Sequence, residues 1–211
     1  MPLYFSKDID ADTRLAVWHI TEAEAFFDVP LQRSITHPHK RLQHVAGRYL
    51  LKWLFNDFPY SEILVATTRK PYLENERYHF SISHCGHYAA AIVSKTRRVG
   101  IDVELPASRL SGLAPKFLND AEGHLLERMR VKGTEREATE LLTIFWAAKE
   151  AMYKWWGRPG VDFRRMLLIE DLPEGEERVL QARLADPADP HGIALSLQYT
   201  LFESLVLVHT L

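Results

Sequence analysis

Three carboxylates and one ammonium group stand in two short clusters of this chain. Asp102 and Glu104 are two apart in the apolar, β-branched run Val99-Gly100-Ile101-Asp102-Val103-Glu104. On a strand, both carboxylates would leave the same face. Glu150 and Lys154 are four apart in Phe145-Trp146-Ala147-Ala148-Lys149-Glu150-Ala151-Met152-Tyr153-Lys154, one turn of a helix. Brought together, such carboxylates repel unless a cation sits among them, and hard oxygen ligands suit Mg²⁺ or Mn²⁺. The pattern reads as a divalent-metal site that handles a phosphate.

Each cluster also has a plain reading. An Asp-x-Glu pair at a strand end usually faces solvent, and a Glu-to-Lys helix pair is worth about 0.2–0.5 kcal/mol on a surface. The second cluster argues against plainness, because its neighbours are almost all apolar and charges embedded there are costly without partners.

A further group of polar residues lies upstream. In Phe80-Ser81-Ile82-Ser83-His84-Cys85-Gly86, Ser83 and Cys85 point to one face of a strand and His84 to the other. Adjacent His84 and Cys85 therefore make a poor nucleophile–base pair, and phosphate binding is the sharper use of His84. Lys70-Pro71-Tyr72 is a turn by default. Arg33, His37, His39, Lys40, Arg41, His44 and Arg48 form the one marked basic concentration. It reads either as a solvated helix face or as an anion site near a helix N-terminus. The sequence has no Gly-rich phosphate loop, zinc spacing or Gly-x-Ser-x-Gly elbow.

The elements that must position these residues follow from periodicity. Leu15–Ile20 alternates as a strand, and Thr21 with Glu24 suggests a capping box opening a short helix. Leu42, Val45, Ala46, Tyr49, Leu50, Trp53 and Leu54 give an amphipathic helix over Pro38–Asp57. Strands are expected at Ile63–Thr67, Tyr78–Ser83, Tyr88–Ser94 and Val99–Glu104. Helices follow over about 114–129 and 137–156, parted by Val131-Lys132-Gly133-Thr134 and ended by Gly157. A strand meander closes the chain at 166–170, 178–184, 193–200 and 205–210, with a surface turn at 186–190. Helix followed by strands in each half suggests a duplicated α+β unit.

Composition bounds the class. The 211 residues are 46% hydrophobic, enough for one large domain or two small ones. The formal charge of -2 offers no basic field for a nucleic acid. Cys85 is the single cysteine, so no internal disulfide forms and a reducing cytoplasm suits the chain. Neither a signal-peptide layout nor a bilayer-length apolar stretch is expected to contribute.

In this order the motifs resemble the 4′-phosphopantetheinyl transferase family, in its larger, surfactin-synthetase-activating subclass. The resemblance runs through Lys70-Pro71, the Phe80–Gly86 segment, Gly100-Ile101-Asp102-Val103-Glu104 and Trp146–Lys154. It implies an α+β fold of two similar lobes related by a pseudo-twofold axis, over residues 1–104 and 105–211. It also implies transfer of phosphopantetheine from coenzyme A to a serine of an apo acyl or peptidyl carrier protein. By position, Asp102, Glu104 and Glu150 would hold Mg²⁺, with Mn²⁺ an alternative, and Glu150 would accept the serine proton. Lys154 would stabilise the leaving group; Arg48, Lys70, Ser83 and His84 would contact coenzyme A. Which of Arg33, Lys40 and Arg41 grips the 3′-phosphate stays open. The carrier would dock around Leu113–Leu118, where Pro115-Lys116-Phe117-Leu118 offers a positive charge and apolar groups. A cytoplasmic monomer suffices for this, with neither nucleic acid nor membrane as partner. Two competing expectations are a noncatalytic coenzyme A- or carrier-binding protein and a metal-dependent phosphohydrolase.

Overall fold

The three- and four-residue steps after Pro38 become helix α1, Pro38–Leu54, in a computed structural model of the chain. The structure describes residues 3–30, 34–130, 134–172, 178–186 and 189–211, with the backbone alone at 129, 130 and 190. Arg33, most of the 131–134 stretch and part of the 186–190 turn lie outside the described residues. The chain divides into two compact units, Met1–Val103 and Glu104–Leu211.

In the first unit, β1 (Leu3–Asp8), β2 (Thr13–His19), β6 (Tyr88–Ser94) and β5 (His79–Cys85) form an antiparallel sheet in that order. Strand β1 gives a weak sequence signal because its inner side, Leu3, Phe5 and Lys7, is only half-buried and ends in a charge. The expected capping box at Thr21 does not form. Glu22 instead accepts from the Trp18 indole at 3.1 Å, and only a short 3₁₀ turn, Glu24–Phe26, follows. Helix α1 packs its buried face (Val45, Ala46, Leu50, Leu51, Leu54) on Ala16, Trp18, Phe80, Ala89, Ala91 and Val93 of the sheet. In chain order, a two-stranded ribbon, β3 (Leu64–Val65) with β4 (Pro71–Tyr72), comes between α1 and the hairpin β5–β6. Strand β7 (Ile101–Glu104) ends the unit and runs one residue past its boundary.

Gly47 marks the close approach of α1 to the sheet, since a Cβ there would lie 2.6 Å from Cγ2 of Ile82. Ile82 is β-branched and cannot swing its methyl away cheaply. Gly47→Ala is therefore expected to destabilise the unit by about 1–3 kcal/mol, read as a lowered urea midpoint. An unchanged midpoint would mean that the helix shifts without cost.

The second unit sets three helices against a meander. Helices α2 (Leu110–Phe117) and α3 (Asp120–Arg130) replace the single expected helix. The break is built by Asn119, whose Oδ1 accepts from the Glu122 amide at 2.9 Å while Glu122 Oε2 accepts from the Asn119 amide at 2.8 Å. Such reciprocal capping stops one helix and starts the next. Helix α4 (Glu135–Trp156) opens on a second capping box, Thr134 with Glu137, and ends at Gly157 with φ 69°. Strands β8 (Leu167–Asp171), β9 (Val179–Asp186), β10 (Asp189–Leu201) and β11 (Val206–Thr210) pair antiparallel in sequence order. Against them lies the apolar side of α4, with Phe145, Ala148, Met152 and Trp156 buried. No helix among the described residues is long and apolar enough to cross a membrane.

Candidate functional site

The hairpin β5–β6 turns tightly at Gly86-His87, with Cys85 opposite Tyr88 and Gly86 at φ 54°. Gln43 of α1 donates from Nε2 to the Gly86 carbonyl at 2.8 Å and holds the turn against the helix. Alternation along β5 then buries Ser81 and Ser83 and leaves His84 exposed. The two serines face β7. Ser81 Oγ accepts from the Ile101 amide at 3.2 Å, and Ser83 Oγ donates to Asp102 Oδ1 at 2.6 Å. Side chains thus stitch β7 to β5 at successive inward positions. Asp102 is 3% exposed as a result.

In the second unit, Glu104 at the end of β7 accepts from the Trp146 indole, Nε1 to Oε1, at 3.0 Å. Glu150 is one helical turn beyond Trp146 on α4, so the two leave the same side of the helix. Trp146 is fixed in turn by rings on either side, Phe117 at 5.1 Å and Phe163 at 5.8 Å between centroids. Lys154 follows Glu150 by another turn and is partly buried.

Lys149 points the other way and is fully buried. Its Nζ donates to the Phe117 carbonyl at 2.7 Å, to Glu122 Oε2 at 2.7 Å and to the Phe163 carbonyl at 2.9 Å. All three protons of the ammonium group are thereby used. Burial pushes its pKa down, opposed by the Glu122 carboxylate. Glu122 also accepts from the Ile169 amide at 2.8 Å, so one ion pair ties α2, α3, α4 and β8 together.

Among the basic candidates, Arg48 is buried on α1 and donates from Nη1 to His44 Nδ1 at 3.1 Å. A guanidinium cannot accept, so a neutral His44 carries its proton on Nε2. Arg41 pairs with Glu24 at 2.6 Å, and Lys40 is exposed in the first turn, its amide donating to His37 Nδ1. Lys70 closes the turn between β3 and β4, where Ala66 donates to its carbonyl and Arg69 sits at φ 64°. Burial, then the Arg98 guanidinium, lowers the Lys70 pKa to about 8. His79, at the start of β5, is lowered too, by burial and then by Arg98 and Lys70 against the pull of Glu76.

The docking segment is not as exposed as its sequence suggests. Phe117 and Leu118 are buried, at 2% and 8%, because they seal α2 onto α4; Leu113, Pro115 and Lys116 are the exposed groups. The roles of Trp146, Lys149 and Ser81 escaped the sequence reading. The Thr-x-x-Glu at 134–137 and Asn-x-x-Glu at 119–122 were readable signals for the helix starts.

Among the described residues, no group of three or more His, Cys, Asp or Glu side chains gathers closely enough to hold a metal ion. The donor chemistry nonetheless suits a hard divalent cation. Within the second unit, Glu104 is fixed to the side of α4 from which Glu150 projects, and both are hard oxygen donors.

Residues 98–202 match the family model of the 4′-phosphopantetheinyl transferase superfamily. The match takes in Asp102, Glu104, Glu150 and Lys154; Arg48, Lys70, Ser83 and His84 lie before it. No curated protein matches the chain.

Proposed function

Because the chain belongs to the 4′-phosphopantetheinyl transferase superfamily, we propose that it is a holo-carrier-protein synthase. It would move phosphopantetheine from coenzyme A to a serine of an apo acyl or peptidyl carrier protein in the cytoplasm, acting as a monomer. The observation that carries this reading is that one family match contains both the acidic strand and the Trp-x-x-Lys-Glu-x-x-x-Lys helix. The finer subclass, with two similar lobes, rests on the upstream motifs and on one long helix set against an antiparallel sheet in each unit.

In this reaction the carrier serine oxygen bonds to the phosphorus that bears the pantetheine arm. The pyrophosphate P–O bond breaks, and 3′,5′-adenosine bisphosphate leaves. Asp102, Glu104 and Glu150 would hold Mg²⁺, which when bound supplies positive charge against the pyrophosphate oxygens. Glu150 would take the serine proton. Lys154 would place its ammonium by the departing phosphate, where charge grows as the bond breaks. Arg48, Lys70 and His84 would bind the phosphates and adenosine of coenzyme A.

Lys154→Ala should lower kcat by about 10²–10³-fold with a smaller change in coenzyme A affinity. Lost affinity with unchanged turnover would assign Lys154 to ground-state binding instead. Lys70 gives a pH signature. Its folded pKa of about 8 lies below the usual lysine value, and a bound phosphate favours the charged form, so binding above pH 8 takes up a proton. Coenzyme A affinity should therefore weaken as pH rises through 8, and Lys70→Arg should flatten that slope because arginine stays charged. Calorimetry at pH 8.5 in two buffers of different ionisation heat reads the proton directly; no uptake would remove Lys70 from the phosphate site.

The reading itself is tested by mixing the protein with an apo carrier, coenzyme A and Mg²⁺ and weighing the carrier. A gain of one phosphopantetheine, abolished by EDTA, is the expected result. Coenzyme A binding without any gain across unrelated carriers would leave a noncatalytic binding protein.

A further inference from the structure

The resemblance assigns Ser83 to a coenzyme A phosphate, yet its proton is already committed to Asp102. A serine hydroxyl has one proton to donate, and phosphate oxygens of coenzyme A at neutral pH accept rather than donate. Ser83 donates that proton to Asp102 Oδ1 at 2.6 Å, inside a region where both residues are nearly inaccessible, at 5% and 3% exposure. The neighbouring His84 leaves the opposite, exposed face of β5. One inward serine further back, Ser81 fixes the Ile101 amide immediately before Asp102. The β5 strand thus offers two hydroxyls to β7, one setting its backbone and one setting the carboxylate.

The geometry points to Ser83 as a positioning residue for Asp102, orienting that carboxylate for a divalent cation, rather than as a ligand for coenzyme A phosphate. The physical reason is rotational. An aspartate without a partner samples several side-chain orientations, and a short bond to a buried hydroxyl selects one before any cation arrives. The bond also fixes which carboxylate oxygen, Oδ1, the hydroxyl engages. This inference rests on the assignment of Asp102 as a metal ligand in the proposed function.

The test compares wild type, Ser83→Ala and Ser83→Cys. Cysteine keeps the size and a weak donor, so it serves if the alanine variant does not fold. Free Mn²⁺ is followed by electron paramagnetic resonance as protein is added in the presence of coenzyme A. Calorimetry then gives coenzyme A affinity in EDTA. Loss of the hydroxyl should weaken Mn²⁺ binding about 10–100-fold, with coenzyme A affinity in EDTA unchanged and the cysteine variant intermediate. Coenzyme A affinity that falls equally with and without metal, while Mn²⁺ binding holds, would overturn the inference and make Ser83 a phosphate ligand. Wild-type protein that binds no Mn²⁺ would overturn it as well. The two readings fail separately. Weakened Mn²⁺ binding in a protein that transfers nothing to any carrier sustains the role of Ser83 and sinks the transferase. Active transfer with unaltered Mn²⁺ binding does the reverse.

Discussion

Replacing Lys149 with alanine is expected to cost the second unit about 3–5 kcal/mol of stability, a large share of the roughly 5–15 kcal/mol typical of a folded domain. The loss comes from what stays behind rather than from the bond removed. Glu122 is 1% exposed, and without the ammonium group its carboxylate keeps only the amides of Asn119 and Ile169 as partners. The carbonyls of Phe117 and Phe163 lose their donor too. Because Lys149 precedes Glu150, loosening this point also loosens the turn that carries a proposed catalytic carboxylate. Urea unfolding followed by tryptophan fluorescence reads the effect, since Trp146 and Trp156 both lie on α4. The double variant Lys149→Met with Glu122→Gln should recover part of the loss, because no charge is then stranded. A single variant as stable as wild type would show that water or a shifted side chain satisfies Glu122.

Asp102→Asn should lower phosphopantetheine transfer by at least about 10²-fold while leaving the unfolding midpoint near that of wild type. Asparagine is the sharper choice than alanine, because its side-chain oxygen still accepts from Ser83 and only the charge is lost. Alanine would remove the acceptor of that bond and confuse a catalytic loss with a stability loss of about 1–3 kcal/mol. Mass measurement of the carrier against time reads the rate, and raised Mg²⁺ should rescue it only in part. Transfer at the wild-type rate would remove Asp102 from the metal set, and with it the acidic strand as the centre of the reaction.

Much of the architecture is legible one element at a time. The apolar steps from Leu42 to Leu54 specify α1, and the short apolar run from Tyr88 to Ser94 matches β6 residue for residue. Both signals are strong because a long buried face leaves few alternatives. The expectation of one helix near 114–129 failed on local chemistry, since Asn119 and Glu122 cap each other and periodicity alone does not see a side chain bonding to backbone. Strand β1 was missed for the opposite reason: its inner face is only half-buried.

For the candidate site, residue types and spacing alone pick out Asp102, Glu104, Glu150 and Lys154 as one chemical set. Such groups in an apolar setting are costly unless used. Lys149 and Glu150 are adjacent charges on one helix, and nothing in their order says which is core and which is site. The tertiary structure shows Lys149 to be core, by closing three acceptors around it, and puts Glu150 on the side of α4 that carries the indole bonded to Glu104. The Ser83 bond likewise depends on the fold. Its type allows either a phosphate or a carboxylate as acceptor, and the approach of β7 to β5 places Asp102 Oδ1 2.6 Å from the hydroxyl. Local sequence determined which groups are present and which face of an element each would leave. Partner choice belongs to residues distant in the chain, because a hydrogen bond is made with whatever folding brings within about 3 Å.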